Sequence, residues 1–288
     1  MSISLVKNMQ NISHISSKVG IMYLQSLRGV IFDLAGTLID PGCKAPVEAM
    51  KMAFSKYGLL VSDNQIRKNM GLGKRQHIIE ILQIPEVSLQ WSNIYNYSIQ
   101  TKHIDALHLD TEKRLLEILP QYCIPTPGAV LLTNMFMLHN IKIGITTGYS
   151  RATVDPILNN IKSAGIYFDT VVCADEVSRP RPLGGMIYKI LQKWQLRNYY
   201  PHEILKIGDT IADIQEGRNA KVLTCNVINT SNEIGLNTTE YLALPRESRN
   251  YYKSTLIRKW DVNHADFYTN NLEDIILYYK LAKIPNLP

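Results

Sequence analysis

Short apolar runs alternate with longer amphipathic stretches along most of the chain. Five runs, at residues 30–32, 141–146, 170–173, 204–207 and 222–228, are apolar at successive rather than alternate positions and rich in β-branched side chains. That pattern belongs to strands covered on both faces, as in a parallel sheet. Residues 127–139, 153–163, 185–194 and 212–219 have helix length and helical spacing and fall between the later runs, so the order is strand, helix, strand. The first and second strands are separated by about a hundred residues, far more than the 10 to 12 or so of a direct crossover. Within that gap, residues 45–57, 64–82, 88–100 and 110–119 carry apolar positions at three- and four-residue steps. The expected fold is therefore α/β, a Rossmann-like open parallel sheet with an inserted helical cap. Its expected division is a core of residues 22–42 and 121–288 and a cap of residues 43–120.

Composition narrows the class. The chain has 288 residues, 45% of them hydrophobic, enough for one large core or a core plus a smaller domain. No apolar run reaches the roughly 18 to 20 residues a membrane span needs, so a soluble protein with no membrane partner is expected. The formal charge is +6, but Lys and Arg are interspersed with acids through most of the chain, which argues against a nucleic-acid partner. Cys43, Cys123, Cys173 and Cys225 form no CxxC pair, which predicts free thiols in a reducing cytoplasm. Residues 1–32 contain no Asp or Glu. Residues 1–21 read as a leader or a disordered tail, with Met22 as an alternative start.

Ligands of open parallel sheets bind at the carboxyl ends of the strands. The residues at those ends here are Asp33, then Thr146-Thr147-Gly148-Tyr149, then Asp175 and Arg181, then Gly208-Asp209. An aspartate followed by Gly-Thr, a later Thr-Gly and a still later "GDTIADI" resemble, in that order, the haloacid dehalogenase superfamily of phosphoryl-transfer enzymes. Attack of a carboxylate on a phosphoryl group brings anions together, so such a site needs a cation and aimed donors. Asp33 is the candidate nucleophile. Asp209, with Asp213 one turn further on, offers hard oxygen ligands for Mg2+. Thr147 and the backbone N–H groups around Gly36 and Gly148 are candidate phosphate donors.

Phosphatases of this superfamily usually carry a second aspartate two residues after the nucleophile to protonate the leaving oxygen, but here that position is Ala35. Ester hydrolysis by the usual route would lose the roughly 10²–10⁴-fold a general acid contributes. The segment "NMGLGKRQHI" supplies a different device: read as helix, it sets Met70, Lys74 and His77 at steps of four and three on one face. A lysine amine condenses with a carbonyl to an iminium, an electron sink for a carbon leaving group.

"FDLAGTLIDPGCKAP", "MGLGKRQHI", "IGITTGYSR" and "GDTIADIQEGRNA", with the late "NEIGL" and "NHADFYT", together resemble the phosphonoacetaldehyde hydrolase family. The resemblance implies hydrolysis of phosphonoacetaldehyde to acetaldehyde and phosphate with Mg2+, in a homodimer joined through the caps. By that resemblance Lys74 is the Schiff-base lysine and Asp33 the phosphoryl acceptor. Ala35, through its backbone oxygen, joins Asp33 and Asp209 around the metal, and Cys43, Met70, His77, Tyr149 and Arg181 occupy active-site positions. His77, whose ordinary pKa lies near neutrality, is expected to shuttle protons, and Arg181 to grip phosphonate oxygens. This chain departs from the family at Leu34, Leu38 and Pro180 and in "LGG" at 183–185, where Gly184-Gly185 is expected to loosen the loop that carries Arg181. Two other readings stay open: a related hydrolase for another carbonyl phosphonate or a phosphate ester, and an idle descendant that binds a phosphorylated metabolite.

Overall fold

A computed structural model of the chain describes residues 26–196 and 198–282. Its centre is a six-stranded parallel sheet in the order β3-β2-β1-β4-β5-β6. The strands are β1 (Gly29–Phe32), β2 (Lys142–Thr147), β3 (Thr170–Cys173), β4 (Ile204–Gly208), β5 (Leu223–Val227) and β6 (Phe267–Thr269). The five expected strands are present. β6 is an addition: a three-residue edge strand, half-buried at Phe267 and Tyr268, too short to stand out as an apolar run.

Successive residues of β1 face opposite layers. Val30 and Phe32 join the core that holds Phe136 and Leu132 of helix Ala129–Leu138, while Ile31 joins Met186, Ile187 and Ile190 of helix Gly185–Lys193. The strand order reverses between β1 and β4, where Phe32 pairs with Ile207, and this sets the residues after those two strands side by side at a switch point.

The stretch between β1 and β2 is helical: α1 (Lys44–Lys56), α2 (Asp63–Arg67), α3 (Lys74–Leu82), α4 (Pro85–Tyr95) and α5 (Thr101–Ile118). The block encloses its own apolar cluster, built from Met50, Phe54, Ile66, Ile78, Ile81, Trp91 and Leu107. Helix α1 serves two cores, since Ala45 and Ala49 pack on the sheet side while Val47, Met50 and Phe54 face the helical cluster. Leu115 and Leu119 likewise return to the sheet core.

Two helical expectations need correction. Residues 64–82 are not one helix: α2 ends at Arg67, Gly71 takes a φ of 94°, and α3 begins at Lys74. Met70 therefore lies in the turn, off any shared helix face with Lys74 and His77. The break expected between residues 100 and 110 lies earlier, at Asn96, whose φ of 56° ends α4; asparagine tolerates that left-handed conformation. Helix α5 then runs unbroken through 101–118. The expected leader lies outside the described residues. Among those described, no helix is long and apolar enough to cross a membrane.

Candidate active site

Asp33 follows β1 and Asp209 follows β4, and both are buried. Asp213 joins them one turn into helix Ile211–Asn219, and the three carboxylates offer oxygens within 4.8 Å of one another. Asp209 is held by Thr37 Oγ1 (3.1 Å) and by the Asn232 amide (2.8 Å). Burial and the neighbouring Asp33 and Asp213 charges push Asp209 well above the usual carboxylate range. Burial also raises Asp33 to about 6, against the pull of Arg181. For Asp213 burial works upward too, but Arg181 and Lys206 outweigh it and hold the group at about 2. Asp213 Oδ2 caps its own helix, accepting from Thr210 Oγ1 at 2.6 Å and Thr210 N at 3.1 Å.

Arg181 and Lys206 are the cations of this cluster. Arg181 Nη1 lies 2.7 Å from Asp33 Oδ1, its Nε donates to Glu216 Oε2 at 2.8 Å, and its Nη2 donates to the Thr146 carbonyl and hydroxyl, both at 2.8 Å. Lys206 Nζ lies 3.0 Å from Asp213 Oδ1 and 3.3 Å from Glu216 Oε2. Four buried carboxyl groups, of Asp33, Asp209, Asp213 and Glu216, face two cations, an excess of acidic groups that a divalent cation would balance. The oxygen donors are of the kind hard divalent ions take, so the residues fit a metal of that class.

The opposite wall comes from the helical block. Lys74, the first residue of α3, is 5% exposed, and its Nζ sits 4.9 Å from the centre of the Tyr149 ring. It makes no hydrogen bond or ion pair among the described residues. Burial lowers its amine to about 8, although the Glu112 and Asp33 carboxylates pull the other way. His77 departs from expectation. Its Nε2 donates to the Ile66 carbonyl at 2.6 Å, and burial, with the nearby Lys74 charge, pushes it down to about 3. The ring is thus neutral at physiological pH and does not titrate near neutrality; its Nδ1 is a buried acceptor without a partner among the described residues. Burial raises both the Cys43 thiol and the Tyr149 phenol, so both keep their protons. Cys43 Sγ donates to the Ala35 carbonyl at 3.1 Å, and the Tyr149 hydroxyl is buried without a partner among the described residues.

Asp33, Ala35, Cys43, Met70, Lys74, Thr147, Gly148, Tyr149 and Arg181 line one chamber of about 20 Å³. Lys74, Gly148 and Arg181 also line a larger cleft of about 510 Å³, walled further by Glu112, His108, Ser150 and Arg179. Gly36 stands beside the chamber, but its own amide is committed to the turn, donating to Ile39 O at 2.7 Å. Its φ is +86°, and a Cβ there would meet Asp209 Oδ2 at 2.5 Å, so this glycine makes room for a carboxylate and its N–H is not free for phosphate. Gly148 is needed for close approach, because a Cβ would lie 2.4 Å from Leu72 O of the α2–α3 turn.

The segment 183–185 is not loosened. Cβ atoms at Gly184 and Gly185 would meet Ala220 at 2.8 Å and Arg179 O at 2.3 Å, and Arg181 is 4% exposed. Asp175 accepts from Arg151 N at 2.9 Å and lines only the outer cleft. Lys206, Glu216 and Glu112 were missed by the sequence reading. Glu112, on α5, accepts hydrogen bonds from the hydroxyls of Ser150 and Thr153 (2.7 Å for Thr153) across the join between the helical block and the sheet layer.

The chain belongs to the haloacid dehalogenase-like hydrolases, whose family model matches residues 30–227. Within that class it is similar to phosphonoacetaldehyde hydrolase of Bacteroides fragilis, 38% identical over 222 residues that cover 77% of this chain and 84% of the relative. The phosphonoacetaldehyde hydrolase of Bacillus cereus is 33% identical over 255 residues, covering 87% of this chain and 95% of the relative. The crystal structure of a phosphonoacetaldehyde hydrolase-like protein from Oleispira antarctica matches with a TM-score of 0.85 at 26% identity, over 89% of this chain and 92% of that one. The resemblance read from the motifs is borne out by these relatives.

Proposed function

We propose that this protein cleaves the carbon–phosphorus bond of phosphonoacetaldehyde, giving acetaldehyde and phosphate. The observation that carries the reading is Lys74: a buried amine lowered to about 8, with no carboxylate bound to it, lining the same chamber as Asp33 and Ala35. Such an amine is unprotonated in a useful fraction near neutral pH and can act as a nucleophile.

Lys74 adds to the aldehyde carbon and, with loss of water, forms an iminium. An Asp33 oxygen then bonds to phosphorus as the carbon–phosphorus bond breaks, and that electron pair moves into the iminium to give an enamine. The departing atom is carbon, so no acid is needed at position 35. Water hydrolyses the aspartyl phosphate, the enamine takes a proton at carbon, and hydrolysis of the imine returns Lys74 and acetaldehyde. Arg181 Nη1 and Thr147 are set to hold phosphonate oxygens, while His77 Nδ1 is placed as an acceptor within the buried wall. Mg2+, held by Asp33, Asp209 and the Ala35 carbonyl with Asp213 in support, would neutralise charge on the phosphoryl oxygens. We assign residues 43–120 as the cap over the core, with a cytoplasmic homodimer joined through the caps as the family resemblance implies; sedimentation tests the dimer.

Borohydride reduction during incubation with phosphonoacetaldehyde and Mg2+, followed by mass mapping, tests the mechanism. A two-carbon adduct on Lys74 with release of phosphate is expected, and turnover that survives Lys74→Ala unchanged would sink it. A wider carbonyl phosphonate is the second reading, favoured by the 510 Å³ cleft that opens onto Lys74.

A further inference from the structure

Behind the chamber lie two charged residues that the chemistry above does not touch. Lys206 on β4 and Glu216 on the helix after it have side chains that are 1% and 0% exposed. Glu216 Oε2 receives Arg181 Nε at 2.8 Å, the Thr146 hydroxyl at 3.0 Å and Lys206 Nζ at 3.3 Å. The Thr146 hydroxyl is itself 2.8 Å from both Arg181 Nη2 and Lys206 Nζ. Arginine and lysine only donate, so the hydroxyl proton must point at Glu216, leaving the oxygen to accept from both cations. Glu216 thus holds Arg181 twice, once at Nε and once through the orientation of Thr146.

We propose that Glu216 is a positioning residue for Arg181, with Lys206 as its buried counterion. The carboxylate fixes Nε directly and Nη2 through Thr146, with Asp213 Oδ1 3.1 Å from Nη2 as a second anchor on that edge, so that Nη1, 2.7 Å from Asp33, is the nitrogen presented to an oxygen on phosphorus. A planar fork anchored on one edge loses little freedom when its other edge takes a ligand. The inference rests on the reading of Arg181 as a phosphonate-gripping residue.

The test titrates inorganic phosphate by calorimetry into the Mg2+-loaded full chain, and Mg2+ alone into the metal-free chain. In Glu216→Gln, a neutral acceptor replaces a charged one, and phosphate is expected to bind about five- to tenfold more weakly with Mg2+ affinity unchanged. The double variant Glu216→Gln/Lys206→Met removes one charge of each sign and covers the case in which the single variant does not fold; it is expected to show the same weakening. Equal weakening of phosphate and Mg2+ would indicate a merely structural role and overturn the proposal, as would wild-type phosphate affinity in either variant. Arg181→Gln separates the two readings. If it weakens phosphate binding and Glu216→Gln does not, only this inference falls; if it leaves phosphate affinity at the wild-type value, both fall.

Discussion

Lys74 and Lys206 are both buried, on opposite sides of the same site, and their surroundings differ in kind. Lys206, on the sheet side, sits within 3.3 Å of two carboxylates and the Thr146 hydroxyl. Lys74, on the helical side, has an aromatic face and no bonded acid. A buried cation with anionic partners is fixed in place by them, whereas one without them is driven toward its neutral form. Identical side chains thus serve as a fixed counterion in one wall and as a candidate nucleophile in the other, and the difference is made entirely by what each wall offers the ammonium group.

That contrast can be broken in several ways. Lys74→Arg replaces the amine with a group that stays protonated; phosphate release from phosphonoacetaldehyde is expected to fall by about 10³-fold or more and the borohydride adduct to vanish. Lys206→Met leaves Asp213 and Glu216 to share Arg181 alone, and urea unfolding at pH 7 should show a loss of about 3 kcal/mol. Lys74→Met should act in the opposite direction. The folded-state value is about 8 against 10.5 for the free side chain, so below pH 8 the folded protein carries the full cost of a buried charge, on the order of 3 kcal/mol. Between pH 8 and 10.5 the unfolded chain holds a proton that the folded one has released, so wild-type stability rises with pH across that window. The stabilisation by Lys74→Met is therefore greatest at pH 7 and closes toward pH 10.5. The rate of adduct formation on wild-type Lys74 should climb with pH and level off near 8. The smallest effect concerns the ring under Lys74: Tyr149→Phe removes a buried hydroxyl without a partner and should stabilise by about 1 kcal/mol.

The sheet was legible because β1 to β5 are almost wholly buried and their runs are mostly apolar and β-branched, whereas β6 is short and half-exposed. The helical insertion was legible from spacing, but the breaks at Gly71 and Asn96 were not, since each depends on a single residue adopting positive φ. Asp33, Lys74, Asp209 and Arg181 could be picked out because each belongs to a motif. Lys206 could not, since a lysine inside "ILKIG" reads as a strand residue with its head in solvent; only the paired carboxylates of the next helix explain its burial. His77 falls beside the lysine as its spacing suggests, but its lowered pKa comes from burial and the Lys74 charge, against the upward pull of the Ile66 carbonyl, and that enclosure is not written in local spacing.

The chamber that holds Asp33 has a volume of about 20 Å³, room for roughly one water molecule. On the proposed reaction a phosphonate, larger than that, would reach Asp33 from the adjoining cleft of about 510 Å³ only if the wall between Lys74 and the sheet gave way. Turnover on that route would contain a mechanical step whose rate depends on solvent friction, and a viscosogen such as sucrose is then expected to slow substrate capture while leaving borohydride trapping at Lys74 unaltered.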